Sequence, residues 1–112
     1  MRRTYLGEFE ELVLIMTVIL DDQAYGVTVS QEIERHTGRL VTFGAIHNTL
    51  IRLEEKGFVS SELGGATSER GGRRKRLFKV TALGKTALAD IQQLRNKLWK
   101  LMPDATLKLS GL

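Results

Sequence analysis

Residues 64–75, GGATSERGGRRK, can be neither core nor helix. They hold Gly64, Gly65, Gly71 and Gly72 among polar and basic side chains. Short segments of β character flank them. Phe58-Val59-Ser60-Ser61-Glu62-Leu63 comes before, and Arg76-Leu77-Phe78-Lys79-Val80 follows, with Phe78 and Val80 alternating against charged neighbours. Two strands joined by a flexible basic loop predict a hairpin with a charged tip, a wing. The chain before this hairpin and the chain after it both carry helical periodicity. The expected fold class is therefore mainly α (α+β), with the hairpin as its only sheet.

The helices follow from apolar spacing. Phe9, Leu12, Val13, Met16 and Leu20 recur at steps of three and four and predict a first helix over Leu6–Leu20. Ile15 and Ile19 widen that stripe, which implies burial on much of the helix surface. Glu8, Glu10 and Glu11 occupy its first turn, where the positive end of the helix dipole favours them. After the turn at Tyr25-Gly26, a second helix is expected over Val27–Thr37, with Val29 and Ile33 inward and Gly38 as its stop. Arg39-Leu40-Val41 connects it to a third helix, Phe43–Lys56. Thr42 is its expected N-cap, Ile46, Leu50 and Leu53 its core stripe, and Gly57 its C-terminal cap. Thr81 caps a last helix, Ala82–Met102, that Pro103 ends. Its positions Leu83, Ala87, Ile91, Leu94, Leu98 and Leu101 approximate a heptad seam. Such a helix spans roughly 30 Å, long for so small a domain, so the seam is expected to be a dimerisation surface. The chain thus divides into a winged helix-turn-helix domain (1–81), a dimerisation helix (82–103) and a flexible tail (104–112).

Composition narrows the function classes. A chain of 112 residues suits one core. It has no Cys, which excludes disulfides, thiolate metal sites and a Cys nucleophile. His36 and His47 have no third ligand at a recognisable spacing, so no metal site is expected. The loop lacks the order of a nucleotide phosphate-binding motif, and no cofactor is expected. The adjacent pairs Glu10-Glu11 and Glu54-Glu55 read as exposed helix faces rather than catalytic carboxylates. An enzyme is not indicated. No apolar run approaches the ~20 residues of a membrane span, and Met1-Arg2-Arg3 is followed by acidic residues rather than by the apolar region of a signal peptide. A cytoplasmic protein is expected.

Charge is uneven along the chain. Residues 1–69 hold 6 basic and 11 acidic side chains, net −5; residues 70–112 hold 11 basic and 2 acidic, net +9. A basic half of this kind suits a polyanion partner. Three helices followed by a basic hairpin is the layout of a winged helix-turn-helix, which reads double-stranded DNA with its third helix. A major groove admits one helix, and the start of that helix must carry short polar side chains. Here these are Thr42, Gly44, Ala45, His47, Asn48 and Thr49, with Arg52 one turn on. Gly44 and Ala45 permit close approach, Asn48 matches adenine, and His47 either meets the groove or stands idle in solvent. The wing places Arg70, Arg73, Arg74, Lys75 and Arg76 where they would meet phosphates or a neighbouring minor groove.

These segments resemble a known family. Leu6-Gly7-Glu8-Phe9-Glu10-Glu11-Leu12, Ala24-Tyr25-Gly26-Val27, the run from Gly44 to Gly57 (GAIHNTLIRLEEKG) and Glu69-Arg70-Gly71-Gly72-Arg73-Arg74-Lys75-Arg76 look like the PadR family of bacterial transcriptional regulators. The resemblance covers about residues 6–90. It implies a dimeric winged-helix repressor, and the single short C-terminal helix is similar to the smaller subfamily. Members of that kind can bind small apolar effectors, in some cases at the dimer interface. The family often carries Tyr at the position of His47 and Pro at that of Asn48. The expected function is a homodimeric repressor on a palindromic operator, released by a small ligand or by a dimer rearrangement. The alternative is a winged-helix protein-interaction module without DNA. Trp99 lies at the edge of the seam, eleven residues from Leu88 and near Met102. These three either pack the dimer or wall a pocket for an apolar effector.

Overall fold

The computed structural model describes residues 6–64 and 75–104. Its elements run α1 (Glu8–Leu20), α2 (Gly26–Thr37), α3 (Phe43–Glu55), β1 (Val59–Leu63), β2 (Arg76–Val80) and α4 (Ala82–Leu101), with a single 3-10 turn at Asp21–Gln23 after α1. The protein is mainly helical, with one antiparallel hairpin in which Val59 faces Val80 and Leu63 faces Arg76. Elements appear in the expected order, with ends that differ by one or two residues. The α1 helix begins at Glu8 because Gly7 is extended and its N–H donates to Glu10 Oε1 at 2.9 Å. Likewise α2 takes in Gly26, α3 ends at Glu55 with Lys56 as its cap, β1 starts at Val59, and α4 stops at Leu101 because Met102 is already extended.

Local chemistry sets most of these boundaries. Thr42 Oγ1 accepts the Ala45 N–H at 3.1 Å, and Thr81 Oγ1 accepts the Gly84 N–H at 3.0 Å, so both threonines satisfy a donor that the first helical turn leaves open. Gly38 ends α2 at φ 76°, a left-handed conformation in which a Cβ is penalised.

The core gathers one face of each of the first three helices against the hairpin. Val13, Leu14, Val29, Ile33, Ile46, Leu50 and Leu53 are fully buried, and Phe58, Val59, Phe78 and Val80 close the layer. Thr17, the polar residue within the apolar run of α1, is buried too; its hydroxyl donates to the Val13 carbonyl at 2.8 Å. A backbone bond from Phe78 N–H to the Ala24 carbonyl (2.9 Å) ties β2 to the segment between α1 and α2. The start of α4 rests on the start of β1. Thr81 donates its N–H to Phe58 O and its hydroxyl to Gly57 O. A Cβ at Gly84 would lie 2.3 Å from Phe58 O, so only glycine allows this approach.

Two expectations about burial are corrected. Ile15, Val18 and Ile19 on α1 are exposed in the single chain, so the widened stripe is not covered by its own core. Conversely, Glu10 and Glu11 are buried rather than solvated, because basic side chains from other elements reach them.

Candidate nucleic-acid interface

The exposed flank of α3 comes from geometry as well as composition. With Ile46, Leu50 and Leu53 turned inward, a rotation of about 100° per residue leaves Gly44, Asn48 and Arg52 along the opposite side. Thr42, Gly44, Ala45 and Asn48 are exposed, and His47 is half-buried. Nothing lies within 4 Å of a Cβ built on Gly44, so the backbone there faces open space.

Two of the expected reader positions behave differently. Thr49 is 1% exposed and cannot reach a base; it sits at the edge of the core stripe and its hydroxyl accepts from Arg52 Nη2 at 3.3 Å. Arg52 is engaged within the chain, since its Nε also lies 3.5 Å from Glu10 Oε2. Thr49 braces α3 from within, while the Arg52 side chain stays 54% exposed on the reader's flank.

Glu10 is the centre of that brace. Lys56 Nζ donates to both of its carboxylate oxygens at 2.8 and 2.9 Å, and Gly7 N–H donates to one of them. Burial pushes this carboxyl up. The hydrogen bonds from Lys56 and Gly7 and the charges of Lys56 and Arg52 together outweigh burial and hold it below the ordinary glutamate range. The neighbouring Glu11 points elsewhere: Arg95 of α4 grips it with two bonds of 2.8 and 2.6 Å. One turn of α1 therefore holds the C-terminal end of α3 with one carboxylate and the middle of α4 with the next.

The root of the wing meets the turn before α2. Lys75 and Arg76 are exposed. Lys75 Nζ lies 3.2 Å from the Tyr25 hydroxyl and 4.5 Å from its ring centroid. Tyr25 precedes Gly26, whose backbone carries the ring of Phe43, the first residue of α3. Arg76 donates to Ser61 Oγ (2.9 Å), which donates to Glu54 Oε2 on α3 (2.7 Å). The hairpin is thus pinned to the third helix and to the turn before the second. Arg70, Arg73 and Arg74 lie outside the described residues, as does the tail from 105 onward.

On α4 the seam splits. Ala87 is 7% exposed and belongs to this chain's own core, and Leu88 packs against that core, so Ala87 is not free for a partner. Leu83, Leu94, Leu98, Trp99 and Leu101 remain exposed, and Ile91 and Met102 are half-buried. Leu88 and Trp99, expected either to pack the dimer or to wall a pocket, have different surroundings in the single chain. A cleft of about 340 Å³ opens elsewhere, between the 3-10 turn and the hairpin, with Asp21, Asp22, Glu62 and Lys79 on its walls. Among the described residues no group of three acidic, His or Cys side chains is placed to hold a metal, and no helix is long and apolar enough to cross a membrane.

Residue patterns had pointed to the polar start of α3 and to the wing. They had not singled out the exposed ring of Phe43, the partners of Glu10 and Glu11 on α3 and α4, or the Tyr25–Lys75 contact. Only Phe43 left a local signal, as a large apolar residue between an N-cap Thr and a Gly on an otherwise polar flank.

Comparison with known proteins agrees with this geometry. The profile of the transcriptional regulator PadR-like family matches residues 15–90. An uncharacterized protein of Lysinibacillus sphaericus is 30% identical over 80 residues, covering 70% of this chain and 71% of that protein. The fold is similar to that of a PadR-like transcription factor from Bacteroides fragilis, with a TM-score of 0.69 at 20% identity over 82% of this chain and 84% of that one. It is similar also to a PadR family regulator from Clostridium difficile R20291, with a TM-score of 0.69 at 21% identity over 86% and 95% of the two chains.

Proposed function

Because this chain belongs to the PadR-like family of transcriptional regulators, we propose that it is a homodimeric repressor that binds double-stranded DNA through α3 and the wing. The family is one of regulators and not of enzymes. One observation carries the reading: Lys75 at the root of the wing touches Tyr25, and the next residue, Gly26, supports the first residue of α3. The Tyr25-Gly26 turn, touched by both, supports a reading in which the start of the reader and the root of the basic loop face the same DNA. Thr42, Gly44, Ala45, His47 and Asn48 would enter a major groove, while Arg70, Arg73, Arg74, Lys75 and Arg76 would lie along phosphates or a minor groove. Arg52, exposed one turn further on, would add a contact to the DNA, and Thr49 would hold the helix at its angle.

The partner surface is the uncovered part of α4. Leu94, Leu98 and Leu101 follow a heptad step and stand in solvent in the single chain, which suits a second copy of the same helix. Ile15 and Ile19 of α1 are uncovered as well. Two copies related by a dyad would read a palindrome whose half-sites lie about 34 Å apart. A small apolar ligand near Trp99 and Met102, or a rearrangement of the α4 pair, would change that spacing and release DNA.

The test is a salt titration of duplex binding. Wild-type protein should bind with a steep salt dependence. Arg73→Ala with Arg74→Ala should weaken binding to all sequences alike and reduce the log–log salt slope by up to about 2, one per lost phosphate contact. Duplex binding that is absent at low salt would end the DNA reading. A changed sequence preference with an unchanged slope would end the assignment of the wing.

A further inference from the structure

The first turn of α3 carries an aromatic ring that the reading above leaves without a role. Phe43 is 57% exposed, although it begins a helix whose remaining large apolar residues are mostly covered. It is nonetheless held in place. The ring lies on the backbone of Gly26: a Cβ there would fall 2.3 Å from Phe43 Cε1, 3.0 Å from Cδ1 and 3.2 Å from Cζ. One turn further along α3, the His47 ring stacks on it, with centroids 5.9 Å apart and planes at 14°. The Thr42 cap fixes the turn from which it projects. Phe43 therefore presents a positioned apolar surface beside Thr42, Gly44, Ala45 and Asn48.

The groove offers few matches for such a surface. Phosphates, sugars and the donor and acceptor edges of the bases all favour polar side chains. The C5-methyl of thymine is the apolar group that a major groove displays. We propose that Phe43 is a specificity-determining residue that reads a thymine methyl in each half-site, with His47 and Gly26 as the positioning residues that hold its ring. This rests on the reading of α3 as the helix that enters the groove.

The experiment removes the methyl and nothing else. Binding sites are first selected from random duplexes, and each thymine is then replaced in turn by deoxyuridine, which keeps the hydrogen-bonding edge. For the wild-type protein, one thymine per half-site should be sensitive, with a loss of about fourfold in affinity, the weight of one buried methyl-sized group. Phe43→Ala should bind the thymine and uracil duplexes equally while keeping salt-dependent binding to unrelated DNA, which reports that it is folded. Phe43→Leu should keep part of the discrimination. Gly26→Ala, which displaces the ring, should lower the discrimination without touching Phe43 itself.

Sensitivity to the methyl that is the same in wild type and Phe43→Ala would overturn the proposal, and so would the absence of any methyl-sensitive thymine. Failure to select any duplex would instead strike the DNA reading itself. The two failures are therefore distinct.

Discussion

The third and fourth helices have similar apolar patterns and opposite fates. Along α3 the stripe of Ile46, Leu50 and Leu53 is fully buried by the chain's own elements. Along α4 only Gly84 and Ala87 are buried, near its start, while Leu94 is 54% and Leu98 51% exposed. The difference lies in what each helix has beside it. The α3 helix packs against α1, α2 and β1, whereas among the described residues α4 packs only sparsely, mainly against α1 and β2. A helical stripe states that something must be covered and does not state by whom. In α3 the cover is intramolecular; in α4 the described residues do not supply it, and a second copy does so in the function proposed above. Even the carboxylates of α1 respect this division, with Glu10 on α3 and Glu11 on α4.

The largest expected effects separate the two helices directly. Leu50→Ala should lower the unfolding free energy by about 2–5 kcal/mol through a lost side chain and a cavity, at every protein concentration. Leu94→Asp should instead yield monomers in sedimentation, with the stability of the dilute monomer changed by no more than about 0.5 kcal/mol. A loss at Leu94 as large and as independent of concentration as that at Leu50 would erase the distinction.

The paired carboxylates sharpen it further. Glu10→Gln should cost about 1–3 kcal/mol near neutral pH, since it removes charged acceptors from Lys56 and Gly7. The folded-state pKa of Glu10 is depressed. Its contribution is thus fully present above the unfolded-state pKa and is lost as pH falls through the lower folded-state value. Denaturation curves of wild type and Glu10→Gln should therefore converge in acid. In hydrogen exchange, Glu10→Gln should loosen the C-terminal turns of α3, and Glu11→Gln the middle of α4. Identical exchange patterns in the two variants would mean that the carboxylates do not divide their work.

The smallest loss of stability concerns the start of α3. Thr42→Ala should cost about 1 kcal/mol, because the Ala45 N–H loses its acceptor. Urea denaturation measures this, and a neutral result would show that water replaces the cap without loss.

Much of this architecture was legible from neighbouring residues alone. Thr42, Gly38 and Thr81 mark helix ends because a cap acts within three or four residues. Phe78 and Val80 mark the inner face of a strand because its side chains alternate. The candidate site was proposed for the same reason, from a polar helix start and a basic glycine loop that lies mostly outside the described residues. Thr49, Arg52 and the acidic pair were not, because their partners lie on different turns or elements. Glu11 meets Arg95 across 84 positions. Ala87 fits the heptad seam, yet it packs inward, because a repeat of small and large apolar residues reads the same whether its cover comes from the same chain or from another.

By itself, then, the order of residues determined which segments coil, where they stop, and that a charged hairpin follows three helices, since these depend on short-range bonding and periodic burial. Folding in space decided which side chains brace α3, which apolar surface stays open on α4, and that Phe43 is held outward on Gly26. Those outcomes depend on contacts between distant segments, and such contacts exist only once the core has closed.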